Sequence, residues 1–140
     1  GEISNWEDLG MDGGKIVVIS RDTSSGTYEC FYKIALKKAK VRPDAVLQAS
    51  NKAVLQTVMQ TPNAIGYIGM GYLTDDVNAL VVNGIQPTNQ TVLSKEYPIS
   101  RPLYMYTDGE PTGEVKDYLD FVKSAEGQKY VEQEGFVSIA

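Results

Sequence analysis

Apolar residues fall in short, regularly spaced blocks along this chain, and each block predicts one element. Lys15 to Ile19 is nearly continuous in apolar side chains and reads as a buried strand. Tyr28, Phe31, Tyr32, Ala35, Leu36 and Ala39 recur at helical spacing, which predicts a helix over Thr27 to Ala39. Val54, Leu55, Val58 and Met59 mark the apolar face of a second helix, with Asn51 as its cap and Thr61-Pro62-Asn63 as its end. Ala64 to Ile68 reads as another buried strand. Ala79 to Val82, then Asn83-Gly84 and Ile85, predict a hairpin with a type I′ turn. Arg101 to Tyr106 predicts a further strand, with Pro102 holding its start at an edge or hinge. Val115, Tyr118, Leu119 and Val122 mark a helix. Ala125 to Glu134 marks the last one, with Gly135 as its C-terminal cap. Ser4, with Glu7 three residues on, has the spacing of a capping box before a short turn around Trp6. Helices alternating with strands predict an α/β layered domain, helices on both sides of a central mixed sheet.

The polar residues between the first strand and the first helix carry the chemistry. Arg21-Asp22-Thr23-Ser24-Ser25-Gly26-Thr27 sits where a strand hands over to a helix N-terminus. Backbone N–H groups of a first helical turn have no partner within the helix, and the helix dipole adds about half a positive charge there. Hydroxyls of Ser24, Ser25 and Thr27 can donate, and Arg21 brings a planar fork of donors suited to phosphate or carboxylate oxygens. The reading is a loop that holds a tetrahedral oxyanion. Ordinary helix capping accounts for Ser-Ser-Gly-Thr taken alone; the arginine at the end of a buried strand is what shifts the balance. The loop has neither the spacing nor the lysine of a Walker A motif, and no dinucleotide fingerprint occurs.

Several segments together resemble one family. Gly1 to Gly10 is similar to a G-x-I-x-x-W-x-D-(L/V)-G stretch, and Ile19 to Phe31 to an S-R-x-x-x-S-G-T loop and helix. Pro62 to Ile68 is similar to P-x-A-I-G-Y, Tyr97 to Tyr104 to a Y-P-x-x-R-P-x-Y return strand, and Glu126 to Val137 to a closing E-G-Q…G-(F/Y) helix. In this order they resemble the phosphate-binding proteins of ABC transporters, solute receptors of the type II periplasmic-binding fold. The resemblance implies phosphate contacts from Arg21, Ser25, Gly26 and Thr27, with Asp22 and Ser24 in support, and no cofactor, metal or catalytic residue. It implies a binding cleft between two domains, hinge closure, and delivery of phosphate to a membrane permease from an extracellular or periplasmic position, secreted or membrane-anchored. The resemblance implies the second ligand-binding domain over about residues 1–100 and the hinge-return strand and C-terminal helices over about 101–140, with the family's N-terminal domain expected to be absent. Tyr118, Leu119 and Val122 would then lose their cover, which predicts a homodimer by exchange of C-terminal helices or helices folded back on their own sheet. One departure leaves the support of the guanidinium open. Many members carry an acidic residue two positions after the arginine and a glycine before Ser-Gly-Thr, where this chain has Thr23 and Ser24, with Asp22 directly after Arg21.

Composition narrows the alternatives. The 140 residues suffice for one core, and a net charge of −5 argues against a nucleic-acid partner. There is no histidine, so neither a Ser-His nor a Cys-His nucleophile can be assembled from this chain. Cys30, the single cysteine, reads as a small core residue. Asp75-Asp76 and Asp117 with Asp120 read as solvated acidic pairs, and Lys37, Lys38 and Lys40 as a solvated face that suits a helix C-terminus. Tyr67 and Tyr72, among Gly66, Gly69 and Gly71, read as core or rim packing. The alternatives to phosphate are another tetrahedral oxyanion (sulfate, molybdate or tungstate) and a phosphoryl-handling enzyme domain with its catalytic half elsewhere.

Overall fold

The computed structural model describes all residues 1–140. The chain divides into two compact units, Gly1–Ala79 and Leu80–Ala140. The sequence motifs place their change of segment later, at about residue 100.

In the first unit, a three-stranded sheet in the order β2-β1-β3 is built from β1 (Val17–Arg21), β2 (Val46–Gln48) and β3 (Ala64–Ile65). All three run parallel, where a mixed sheet is expected from the sequence. The antiparallel pairings are isolated bridges, Asn5 with Lys15 and Val82 with Ile85. Ile19, Ser20 and Arg21 face Val46, Leu47 and Gln48 in register, and Val17 and Val18 face Ala64 and Ile65. Helix α1 (Gly26–Ile34) follows β1, and α2 (Asn51–Gln60) follows β2. Such strand–helix–strand crossovers are what parallel pairing requires.

The buried apolar core is small, consisting of Ile16, Ile19 and Val54. Val54 of α2 lies over Ile19 of β1, and Gly66 makes that approach close. A Cβ at Gly66 would stand 3.0 Å from Val54 Cγ1, 3.2 Å from Val58 Cγ2 and 3.3 Å from the Ile19 carbonyl. Fully burying each such aliphatic side chain contributes about 1.5–3 kcal/mol.

Several boundaries differ from the sequence reading. α1 ends at Ile34 rather than Ala39, because Lys37 and Lys38 take left-handed φ values of 49° and 68°. The Lys38 N–H donates back to the Tyr32 carbonyl at 2.8 Å, a closure usually signalled by glycine and here made by lysine. β3 is two residues long because the backbone leaves the sheet at Gly66. The short strand β2 has no alternating pattern to announce it, since Val46 and Leu47 are both exposed. The capping box at Ser4 does not form. Asn5 is the N-cap of the 3-10 turn Trp6–Leu9, and the Glu7 carboxylate accepts from the Gly14 N–H at 2.8 Å instead. Asn51 is not the cap of α2; Ser50 is, accepting from the Ala53 N–H at 3.1 Å.

Asp44 ends a surface ion network. It receives Arg42 Nε at 2.5 Å and Nη2 at 2.7 Å, with Lys15 Nζ at 3.5 Å. Hydrogen bonding from Arg42 lowers its carboxyl from 3.8 to about 2, against a smaller opposing effect of burial. A depressed carboxylate contributes stability that is present above its unfolded value and lost as pH falls through its folded one. Acid titration by circular dichroism is therefore expected to show Asp44→Asn lose less stability than the parent between pH 3.8 and about 2. The difference should be small, because the Asp44 carboxylate is half exposed and screened. Identical acid limbs would remove Arg42–Asp44 as a source of stability.

In the second unit, the hairpin turn forms as expected. Asn83 and Gly84 have φ values of 53° and 80°, and Val82 and Ile85 exchange both backbone hydrogen bonds at 3.0 Å. Helix α3 (Asn89–Leu93), not foreseen from the sequence, starts at a capping box of Thr88 and Thr91. Residues 101–106 form no strand, since no neighbouring strand pairs with them, and Leu103, Tyr104, Met105 and Tyr106 are exposed. Helices α4 (Gly113–Lys123) and α5 (Ala125–Gln133) meet at Ser124, which caps α5 by accepting from the Gly127 N–H at 3.1 Å. Buried Gln128 donates to the Val122 carbonyl at 2.7 Å and accepts from the Ile139 N–H at 2.9 Å, tying α4, α5 and the final residues together. Gly135 closes α5 as expected, at φ 83°. Cys30 is half-buried on α1. No helix is long and apolar enough to cross a membrane.

Candidate functional site: an arginine and a helix N-terminus

Arg21 is the last residue of β1, and its side chain is only 12% exposed. Its guanidinium turns toward the β2–α2 loop. Nε donates to the Gln48 carbonyl at 3.1 Å, Nη2 to the Ala49 carbonyl at 3.2 Å, and Nη1 to Asn51 Oδ1 at 3.5 Å. Asp22 Oδ2 lies 3.7 Å from Nη2. A guanidinium has five N–H donors, so the three protein oxygens orient the group and leave two donors uncommitted.

The backbone below Arg21 is held as firmly. Where β3 leaves the sheet, the Tyr67 hydroxyl takes its place, accepting from the Arg21 N–H at 3.1 Å and sharing a 2.8 Å hydrogen bond with Ser20 Oγ. The Tyr67 ring stacks on Phe31 of α1 at 4.1 Å between centroids. Ser20 is buried, and Tyr67 meets its need for a partner.

The loop from Asp22 to Ser25 is a tight turn. The Ser25 N–H donates to the Asp22 carbonyl at 3.2 Å, and Asp22 Oδ1 accepts from the Ser24 N–H at 3.1 Å and from the Ser24 hydroxyl. That hydroxyl is the main cause holding the Asp22 carboxyl below its ordinary value, with burial opposing and Arg21 adding a smaller effect. Asp22 is therefore a charged acceptor at neutral pH. Ser25 is the N-cap of α1, and its Oγ accepts from the Tyr28 N–H at 3.2 Å. This occupies an oxygen lone pair and leaves the hydroxyl proton to donate elsewhere. Gly26 and Thr27 are the first two residues of the helix, where backbone N–H groups lie ahead of the internal ladder.

The structure thus joins Arg21 to Asp22 and Asp22 to Ser24, and sets Ser25, Gly26 and Thr27 at the start of α1. A shallow cleft of about 310 Å³ beside this start is lined by Thr23, Ser24, Ser25, Gly26, Tyr28 and Glu29, among others. Arg21 and Thr27 do not line it. Carbonyls of Gln48 and Ala49, Asn51 and the Tyr67 hydroxyl are site elements that sequence reasoning did not assign. A backbone carbonyl has no sequence signature, and Asn51 and Tyr67 have commoner readings as a cap and a packing residue.

Comparison with known proteins follows this geometry. The family model described as a PBP superfamily domain matches residues 1–126. The phosphate-binding protein PstS of Bacillus subtilis is 40% identical over 99% of this chain and 47% of its own length. A crystal structure from Clostridium perfringens, of a protein assigned as a phosphate ABC transporter substrate-binding protein with bound phosphate, aligns with a TM-score of 0.82 and 35% identity. That alignment covers 100% of this chain and 58% of the other. PstS of Borrelia burgdorferi aligns with a TM-score of 0.76 and 37% identity, over 100% of this chain and 59% of the other. The chain spans about half the length of the curated relatives it matches. The α/β fold, the order of the motifs and these matches lead to one assignment: the chain belongs to the PBP superfamily, among relatives named as phosphate-binding proteins.

Proposed function

We propose that this chain is one phosphate-contacting half of the receptor of a phosphate import ABC transporter. The observation that carries the proposal is Arg21, a nearly buried guanidinium held by three protein oxygens with two donors left over, one turn of chain before a capped helix N-terminus. Phosphate is held by Arg21 and by the Ser25-Gly26-Thr27 helix start through charge-assisted hydrogen bonds. Asp22 and Ser24 support the loop. The names of the B. subtilis and B. burgdorferi relatives support phosphate as the ligand. The assignment of residues 1–100 to a second ligand-binding domain and of 101–140 to a return segment belongs to the same reading. So do hinge closure on an N-terminal domain, an extracellular or periplasmic location, and a membrane permease as the recipient. The role is reception rather than catalysis, and release of product from a generic phosphomonoester would overturn it.

Calorimetry with phosphate, sulfate and molybdate tests the ligand. Monohydrogen phosphate carries a proton to donate and sulfate does not, so discrimination needs a fixed acceptor. The nearby carboxylate, Asp22, is already engaged by the Ser24 N–H and hydroxyl. An acceptor left without a donor costs about 1–3 kcal/mol, and without one free here the chain should favour phosphate over sulfate by less than about tenfold. Stronger discrimination would make Asp22 the acceptor. Absence of saturable binding by every tetrahedral anion would remove the loop as a site.

A further inference from the structure

We infer that Asn51 is a positioning residue for the anion site, aiming the Arg21 guanidinium with a neutral oxygen that adds no second carboxylate beside Asp22. This rests on the reading of Arg21 as the anion contact. Asn51 is the first residue of α2, one position after the cap that asparagine often supplies. Here Ser50 performs that task, which leaves the Asn51 side chain for other partners. Its Oδ1 accepts from Arg21 Nη1 at 3.5 Å and from the Gly69 N–H at 3.2 Å. It therefore joins the end of β1, the start of α2 and the segment after β3 at one atom.

The kind of acceptor matters more than their number. The oxygens that orient the guanidinium are the Gln48 and Ala49 carbonyls and the Asn51 amide, all of them neutral. One carboxylate, Asp22, already pairs with Nη2 at 3.7 Å while it is bonded to Ser24. A carboxylate at position 51 would accept the same two hydrogen bonds with the same reach. It would also pair with the cation and repel an incoming dianion, because charges a few ångströms apart in a partly buried site interact strongly. An amide orients without adding a second negative charge to that of Asp22.

Asn51→Asp separates this role from a structural one. It preserves both acceptor bonds, and a negative charge at a helix N-terminus is favourable, so thermal unfolding should stay close to the parent. Titration with inorganic phosphate, followed by amide NMR, should show affinity reduced by about tenfold or more. A shallower dependence on ionic strength should accompany the loss. Asn51→Ala keeps the charge and loses the aim, and should weaken binding by roughly three- to tenfold. In that variant the Arg21 side-chain N–H signals should broaden even without phosphate, a signature that needs no ligand. Parent-like affinity in Asn51→Asp would show that Asn51 only secures the backbone. Should that variant fail to fold, Asn51→Ala decides, and parent-like affinity with unchanged Arg21 signals overturns the inference. Arg21→Ala run in parallel keeps the two levels apart. If it binds phosphate as the parent does, the reading of Arg21 fails; if it loses binding while both Asn51 variants keep theirs, only the role of Asn51 fails.

Discussion

Arg21→Ala is expected to weaken phosphate binding by roughly tenfold to a hundredfold, while Lys38→Ala leaves it essentially unchanged. The two residues carry the same formal charge in the same unit, so the contrast isolates placement from charge. Arg21 is 12% exposed and its guanidinium is oriented by Gln48, Ala49 and Asn51 before any ligand arrives. Little side-chain entropy remains to be lost on binding, and a hydrogen bond to a charged group contributes about 1.5–3 kcal/mol. Lys38 is exposed on the turn that closes α1, where water screens its ammonium. Arg21→Lys should fall between the two, since lysine restores the charge but not the fork. Phosphate titrations of the three variants, with folding checked by circular dichroism, make the comparison. Equal losses for Arg21→Ala and Lys38→Ala would show that binding follows net charge and that the loop is not the site.

The largest effect on stability is expected from Gly127→Ala. Gly127 lies buried in the first turn of α5, against the end of α4. A Cβ there would stand 2.1 Å from the Phe121 carbonyl oxygen and 2.8 Å from both Cα and O of Val122. These are backbone atoms, so no rotamer change relieves the clash, and the α4–α5 corner must open. Opening it also strains the Ser124 cap and the Gln128 bonds to Val122 and Ile139. Overpacking of this kind costs about 1–3 kcal/mol, and rigid backbone on the other side puts this case at the upper end. Glu126→Ala, one residue earlier and exposed, should be nearly neutral. Urea unfolding monitored by circular dichroism compares them. A midpoint for Gly127→Ala equal to that of the parent would mean that the two helices do not meet this closely.

Local chemistry made part of this fold legible. Ser25 and Gly135 mark ends of α1 and α5, and Asn83-Gly84 marks a turn, because a cap or a positive φ is set by the residue itself and its nearest neighbours. The candidate anion loop was legible for the same reason: an arginine at a strand end followed by a capped helix start is a contiguous pattern. Legibility stopped where the deciding atom is distant in sequence. α1 stops at Ile34 because Lys37 and Lys38 adopt left-handed backbone, which nothing in lysine announces. Glu7 has the spacing of a capping box, yet it bonds to Gly14, which the fold brings within reach. Residues 101–106 have the composition of a strand, but a strand exists only with a partner to pair with. So the sequence by itself determined the α/β class, the family and the position of Arg21 ahead of a helix N-terminus. Only the tertiary structure decided where the guanidinium points. Its direction depends on the carbonyl that ends β2, the carbonyl that follows it and one amide of α2, and those oxygens meet Arg21 only after β1 and β2 have paired and α2 has packed on the sheet.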